Sequence, residues 1–191
     1  SKKNKSGLGI FFTVQHAYKG GSEGSNILDV PGQFNFKVSY RMKSDIEVFG
    51  SITPGKFTYE EDINSEQYLD YILGLTYSLY QKKWGCSISF LKNQWHYNSN
   101  NIDIDNLTKR TGFAMSIFSR RNYHPYLSYT NIFNDAEYSN TDLQREYITL
   151  GGMEEIGKYL LHWGWTIALL DGWELNKDNA SFFIGGGIEF F

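Results

Sequence analysis

Residues 33–42 read QFNFKVSYRM. Phe34, Phe36, Val38, Tyr40 and Met42 alternate there with Gln33, Asn35, Lys37, Ser39 and Arg41. A period of two belongs to an extended strand with one apolar and one polar face, not to a helix. The alternation recurs at about 6–18, 46–58, 67–80, 84–97, 107–119, 123–133, 144–154, 159–169 and 180–191, while helical periodicity is nearly absent. The reading is therefore all-β, with about ten strands. Most runs exceed the roughly five or six residues of an ordinary soluble strand. Crossing a bilayer at a tilt needs roughly 9–11 residues, which these runs supply. An eight-stranded count requires merging two of the weaker runs; the weakest is 144–154, where ITLGGMEEIG reads on either face.

The connections alternate in length. Short ones fall at Lys43-Ser44-Asp45, Gln81-Lys82-Lys83, Arg120-Arg121-Asn122 and from about Glu155 to Lys158. Long ones fall at about 19–32, 59–66, 98–106, 134–143 and 170–179. Tight turns at one end and long loops at the other describe an up-and-down antiparallel barrel. A Greek-key sandwich has no reason to alternate them. With no linker and no low-complexity segment, residues 1–191 read as a single domain.

The face opposite the large residues decides what each face meets. At 67–80 it carries Asp70, Ile72, Gly74, Thr76 and Ser78; at 84–97, Gly85, Ser87 and Ser89; at 159–169, His162, Gly164, Thr166 and Ala168. A water-facing sheet favours Lys, Glu and Thr and avoids glycine. Small residues suit the crowded inside of a narrow closed barrel. The large residues are therefore expected outside, against lipid: Phe34, Phe36, Tyr71, Trp163 and Trp165 among them. Lys37, Arg41, Glu47, Asp70, Arg110 and Glu189 are expected to line the lumen. If residues 43–45 form the turn, Arg41 sits opposite Glu47, a pair that either plugs the lumen or acts as a pore-lining filter. Inward Phe49, Ile72, Phe118 and Tyr126 favour a filled lumen.

Composition narrows the remaining classes. Net charge is -3 and the pI about 5.8, which gives no footprint for nucleic acid. The lone Cys86 excludes an internal disulfide. No run of 18 apolar residues exists to form a transmembrane helix. A mean hydropathy of −0.43 does not exclude a membrane barrel, because only alternate residues of its strands are apolar. His16, His96, His124 and His162 form no metal-binding spacing, so no metal and no cofactor is expected. The acidic loop residues Glu60, Glu61, Asp62, Glu66, Asp103 and Asp105 match no calcium-loop pattern and read as a solvated loop end. His124 and Ser128 are too loosely spaced for a catalytic dyad, so enzymatic activity is not expected.

The chain ends FFIGGGIEFF, an alternating strand that closes on an aromatic residue. With the strand architecture, this resembles bacterial outer-membrane β-barrel proteins. The resemblance covers the whole chain as architecture, and its one local motif is the terminal aromatic. It implies a Gram-negative outer-membrane location, with the termini and short turns in the periplasm and the long loops outside the cell. Its partners would be outer-membrane lipid, lipopolysaccharide and, during biogenesis, the barrel-assembly machinery, with the protein inserted as a monomer. Three functions compete: a non-enzymatic barrel for surface interaction or envelope structure, a small pore for ions or polar solutes, and an outer-membrane hydrolase. The first is preferred.

Overall fold

The computed structural model describes residues 6–15, 27–29, 33–42, 45–59, 66–98, 105–119, 124–134, 145–169 and 180–190. Eleven strands follow one another: β1 (Gly7–Gln15), β2 (Ile27–Asp29), β3 (Gln33–Arg41), β4 (Ile46–Tyr59), β5 (Glu66–Tyr80), β6 (Trp84–Asn98), β7 (Asp105–Ser119), β8 (Tyr126–Asn134), β9 (Arg145–Ile156), β10 (Tyr159–Leu169) and β11 (Ala180–Phe190). Ten of them, all except β2, form a closed antiparallel up-and-down barrel. Each pairs with its chain neighbours, and β1 pairs with β11 to close the ring. The count is ten and not eight: 144–154, the weakest run in the sequence, is a full strand between β8 and β10.

Three departures from the sequence reading, and the tolerance of Pro54 within a strand read as continuous, show in the fold. β2 falls inside the stretch read as one long connection and pairs only with Thr58 and Tyr59 at the far end of β4. Pro54 lies in β4 beyond the last β3 pair, Phe36 opposite Ile52, where an absent N–H is tolerated. β8 begins at Tyr126 and not near 123, because Pro125 cannot donate to the ladder and His124 has a positive φ of 22°. The β9–β10 connection shrinks to Gly157-Lys158, since Gly157, at φ 67°, allows a two-residue hairpin that lets β9 run on to Ile156.

Exposure alternates residue by residue along the described parts of β1, β3, β5 and β6. Leu8, Ile10, Phe12 and Val14 on β1 are exposed, as are Leu73, Leu75, Tyr77 and Leu79 on β5 and Phe182, Ile184 and Phe190 on β11. All ten barrel strands carry such exposed large apolar residues. The opposite face is turned inward, and the packed interior of the molecule is the lumen itself.

Within the lumen, aromatic rings lie over glycines. Phe49 is directly opposite Gly74, Phe118 opposite Gly85, Tyr126 opposite Gly151, Phe183 opposite Gly164, His162 opposite Gly185 and Phe11 opposite Gly187. In each case a Cβ on the glycine would collide with the ring facing it. The small inner residues and the inward rings are thus two halves of one packing scheme.

Candidate functional site: the lumen

One wall of the lumen is charged. On β3 and β4 the Lys37 ammonium is 3.1 Å from Glu47, and the Arg41 guanidinium is 3.4 Å from the other oxygen of the same carboxylate. Arg41 also lies 3.7 Å from Glu189 on β11. Three strand pairings assemble this network: β3–β4 sets Arg41 opposite Glu47, and β1 bridges β3 and β11, its Gly9 lying opposite both Ser39 and Glu189. Lys37 sits 4.3 Å from the centre of the Phe49 ring and 5.8 Å from that of Phe11, so its cation is held between two π faces as well as by Glu47.

Toward the long-loop end, Arg110 on β7 is fully buried and lies opposite Asn93 on β6, itself 2% exposed. The Asn93 amide donates to a carboxylate oxygen of Asp70 and, at 3.0 Å, to the Tyr71 carbonyl. The lumen-facing residues read from the sequence therefore fall into two groups: Lys37, Arg41, Glu47 and Glu189 in one, Asp70 and Arg110 in the other.

The facing wall carries hydroxyls. Ser78, Ser87, Ser116, Ser128, Thr149, Thr166 and Ser181 occupy directly opposed positions on the seven strands from β5 to β11. Ser87 and Ser116 are hydrogen-bonded at 2.6 Å and Thr149 and Thr166 at 3.2 Å, and the Gln15 amide on β1 donates to Ser181. The row starts near the β5–β6 turn and ends beside the β10–β11 loop, so it climbs the wall from one end of the barrel to the other. A shorter row beside it includes Thr76 and Ser89, hydrogen-bonded at 2.8 Å.

At the short-turn end the lumen widens into a cavity of about 580 Å³. Arg41, Glu189, His124, His162, Tyr126 and four serines of the row are among its lining residues. The His162 ring is hydrogen-bonded to Thr13 at 3.0 Å, and His124 Nδ1 donates to the Ser119 carbonyl at 3.1 Å. Among the described residues no group of three or more His, Cys, Asp or Glu could hold a metal ion. Sequence spacing did not bring His124 and His162 to one cavity, because each reaches it from a different hairpin.

The residues expected against lipid lie on the outward face. Phe34, Phe36, Tyr71 and Trp165 are exposed, Trp165 by 52%, and Trp163 shares that face but is half-buried, opposite Gly152 and Ile184. Past Phe90 the outward face of β6 and β7 turns polar, with Lys92 and Lys109 both exposed and Lys92 donating to Thr111 at 2.6 Å. Glu60, Glu61, Asp62 and Asp103 lie outside the described residues; of Glu66 and Asp105 only the backbone is described, where β5 and β7 start.

No protein-family model and no curated protein matches the chain. In structure it is similar to the N-terminal β-barrel domain of Pseudomonas aeruginosa OprF, with a TM-score of 0.40 and 10% identity over 96% of this chain and 97% of that one. It is similar to Neisserial surface protein A, with a TM-score of 0.40 and 12% identity over 96% and 95%. A third likeness is to Ail, the attachment invasion locus protein of Yersinia pestis, with a TM-score of 0.31 and 13% identity over 97% of both chains.

Proposed function

We propose that the chain is an integral β-barrel of the bacterial outer membrane with a non-enzymatic role in surface interaction or envelope structure, its lumen closed to ions by its own side chains. The observation that carries this reading is the apolar outward face shared by all ten barrel strands. In water so large an exposed apolar surface would drive aggregation; in a bilayer it is the solvated face. A closed barrel also leaves no open sheet edge in hydrocarbon. Ion pairs and ring–glycine packing support a filled lumen, since Lys37, Arg41, Glu47 and Glu189 are engaged with one another.

In this reading the short turns and termini face the periplasm and the long loops face outward. Lys92 and Lys109, just past the apolar belt on that side, are placed to meet phosphates of lipopolysaccharide. The chain acts as a monomer delivered by the barrel-assembly machinery.

The test is reconstitution into lipid bilayers. Inserted protein should give no discrete current steps in a planar bilayer. Trp165→Arg should cost roughly 2–4 kcal/mol of stability in lipid vesicles. An unchanged unfolding midpoint for that variant would count against the membrane placement. Repeatable conductance steps would promote a second reading, a small pore, which the cavity at the turn end favours.

A further inference from the structure

The apolar outer belt is not equally tall around the barrel. On β3 it runs from Phe34 to Tyr40 and on β10 from Tyr159 to Ile167, but on β7 it runs only from Ile117 to Phe113 and on β8 from Leu127 to Tyr129. Beside that notch, toward the long loops, the outer face of β6 and β7 carries Lys92, Gln94, Lys109 and Thr111. Register sets Lys92 opposite Thr111 and Gln94 opposite Lys109. The two exposed lysines therefore stand on one cross-strand diagonal, a spacing of roughly 7–8 Å that long side chains span. Next to Lys92 lie two of the most exposed apolar side chains of the belt: Leu73, 67% exposed and opposite it on β5, and Phe90, 60% exposed and two places along β6.

Neighbouring like charges on one sheet face repel, and an anion between them removes that cost. Among the described residues no carboxylate is paired with or diagonal to either lysine on the outer face. Glu146, on β9, is engaged by the Asn131 amide at 2.9 Å. A phosphomonoester carries a charge of about −1.5 to −2 at neutral pH, which matches two ammonium groups. The Gln94 amide and the Thr111 hydroxyl, which accepts from Lys92 at 2.6 Å, complete the polar patch. Leu73 and Phe90 decide the source of the phosphate. A soluble anion gains nothing from an apolar ledge, whereas a lipid fills both parts, headgroup on the lysines and chain on the ledge. Within the membrane reading, on which this rests, we infer that Lys92 and Lys109 form a discrete site for one phosphomonoester lipid, its phosphate between the two ammonium groups and an acyl chain along Leu73 and Phe90.

The experiment is native mass spectrometry of the full chain refolded in neutral detergent micelles, with phosphatidate, phosphatidylcholine and inorganic phosphate as probes. One phosphatidate should stay bound per chain, about tenfold or more tighter than phosphatidylcholine, with no comparable retention of inorganic phosphate. Lys92→Gln combined with Lys109→Gln should weaken phosphatidate retention about tenfold or more. Lys109→Gln alone keeps the Lys92–Thr111 bond and should give part of that loss. Lys82→Gln combined with Lys83→Gln, exposed at the β5–β6 turn, should leave retention unchanged. Retention indifferent to the Lys92 and Lys109 variants, equal retention of phosphatidylcholine, an equal loss on replacing Lys82 and Lys83, or inorganic phosphate held as tightly as phosphatidate would each overturn the inference. Insertion into phosphatidylcholine vesicles, read by protease protection, is measured alongside. A chain that inserts but shows no phosphatidate preference defeats this site alone, and a chain that does not insert defeats the membrane reading with it.

Discussion

Two kinds of strand pair hold this barrel together. Some are hairpins closed at one end of the barrel, by two to four residues at β3–β4, β5–β6 and β9–β10 and by the six residues 120–125 at β7–β8. The others are closed at the opposite end by six residues or more, or, for β1–β11, only by closure of the ring. The six ring–glycine pairs all belong to the second kind, at β4–β5, β6–β7, β8–β9, β10–β11 and β1–β11. A tight turn fixes register by its own geometry. A long connection does not, and inward–outward alternation leaves slips of two residues undetected. Where the turn is silent, a ring seated over one particular glycine supplies the missing information.

That contrast can be broken most severely at the seam. A side chain on Gly187 would meet the Phe11 ring and would also lie 2.6 Å from the Ile10 carbonyl oxygen, which cannot move without disturbing the ladder. Gly187→Val should cost about 3 kcal/mol or more, read as a lowered urea midpoint in vesicles. Glu47→Gln comes next. It removes the carboxylate shared by Lys37 and Arg41, and the same midpoint should fall by roughly 2 kcal/mol, less at high salt if the pairs are wetted by the lumen. For Gly74→Ala the three atoms nearest the new Cβ all belong to the Phe49 ring, a side chain that can tilt, so about 1–2 kcal/mol is expected. At the turn, Gly157→Ala strains a positive φ in otherwise open space and should cost about 1 kcal/mol, with register retained in cross-strand distance measurements. Gly50→Ala sharpens the comparison from the other face. Its Cβ would find Leu73 at 3.4 Å and no ring, and a change within about 0.5 kcal/mol is expected. If Gly50→Ala cost as much as Gly74→Ala, ring–glycine packing would not be what distinguishes the two faces.

The same division explains what the sequence made legible. Alternation is a local property, so the barrel class, the strand runs and the inner and outer faces could be read directly. Register could be read across one short turn, where residues 43–45 place Arg41 opposite Glu47. Across β9–β10 it could not, because a turn read at about 155–158 misses the Gly157-Lys158 hairpin that places Thr149 opposite Thr166. Nor could register across long connections. Nothing in residues 50–73 announces that Phe49 meets Gly74, and nothing between Ser87 and Ser116 announces that they touch. The hydroxyl row and the cavity depend on those pairings, so they emerged only with the fold. β2 was hidden for a different reason, since three residues are too short to show a period.

Lys37 lies between the Phe11 and Phe49 rings, and those rings seat two different glycines, Gly187 at the seam and Gly74 across β4–β5. One cation therefore ties two joints into a single cooperative unit. Loosening either ring shifts the lysine and weakens its hold on the other, so the second injury finds part of its damage already done. In a double-mutant cycle, Gly187→Ala and Gly74→Ala should together cost less than the sum of their separate effects, and replacing Lys37 by methionine should restore their independence.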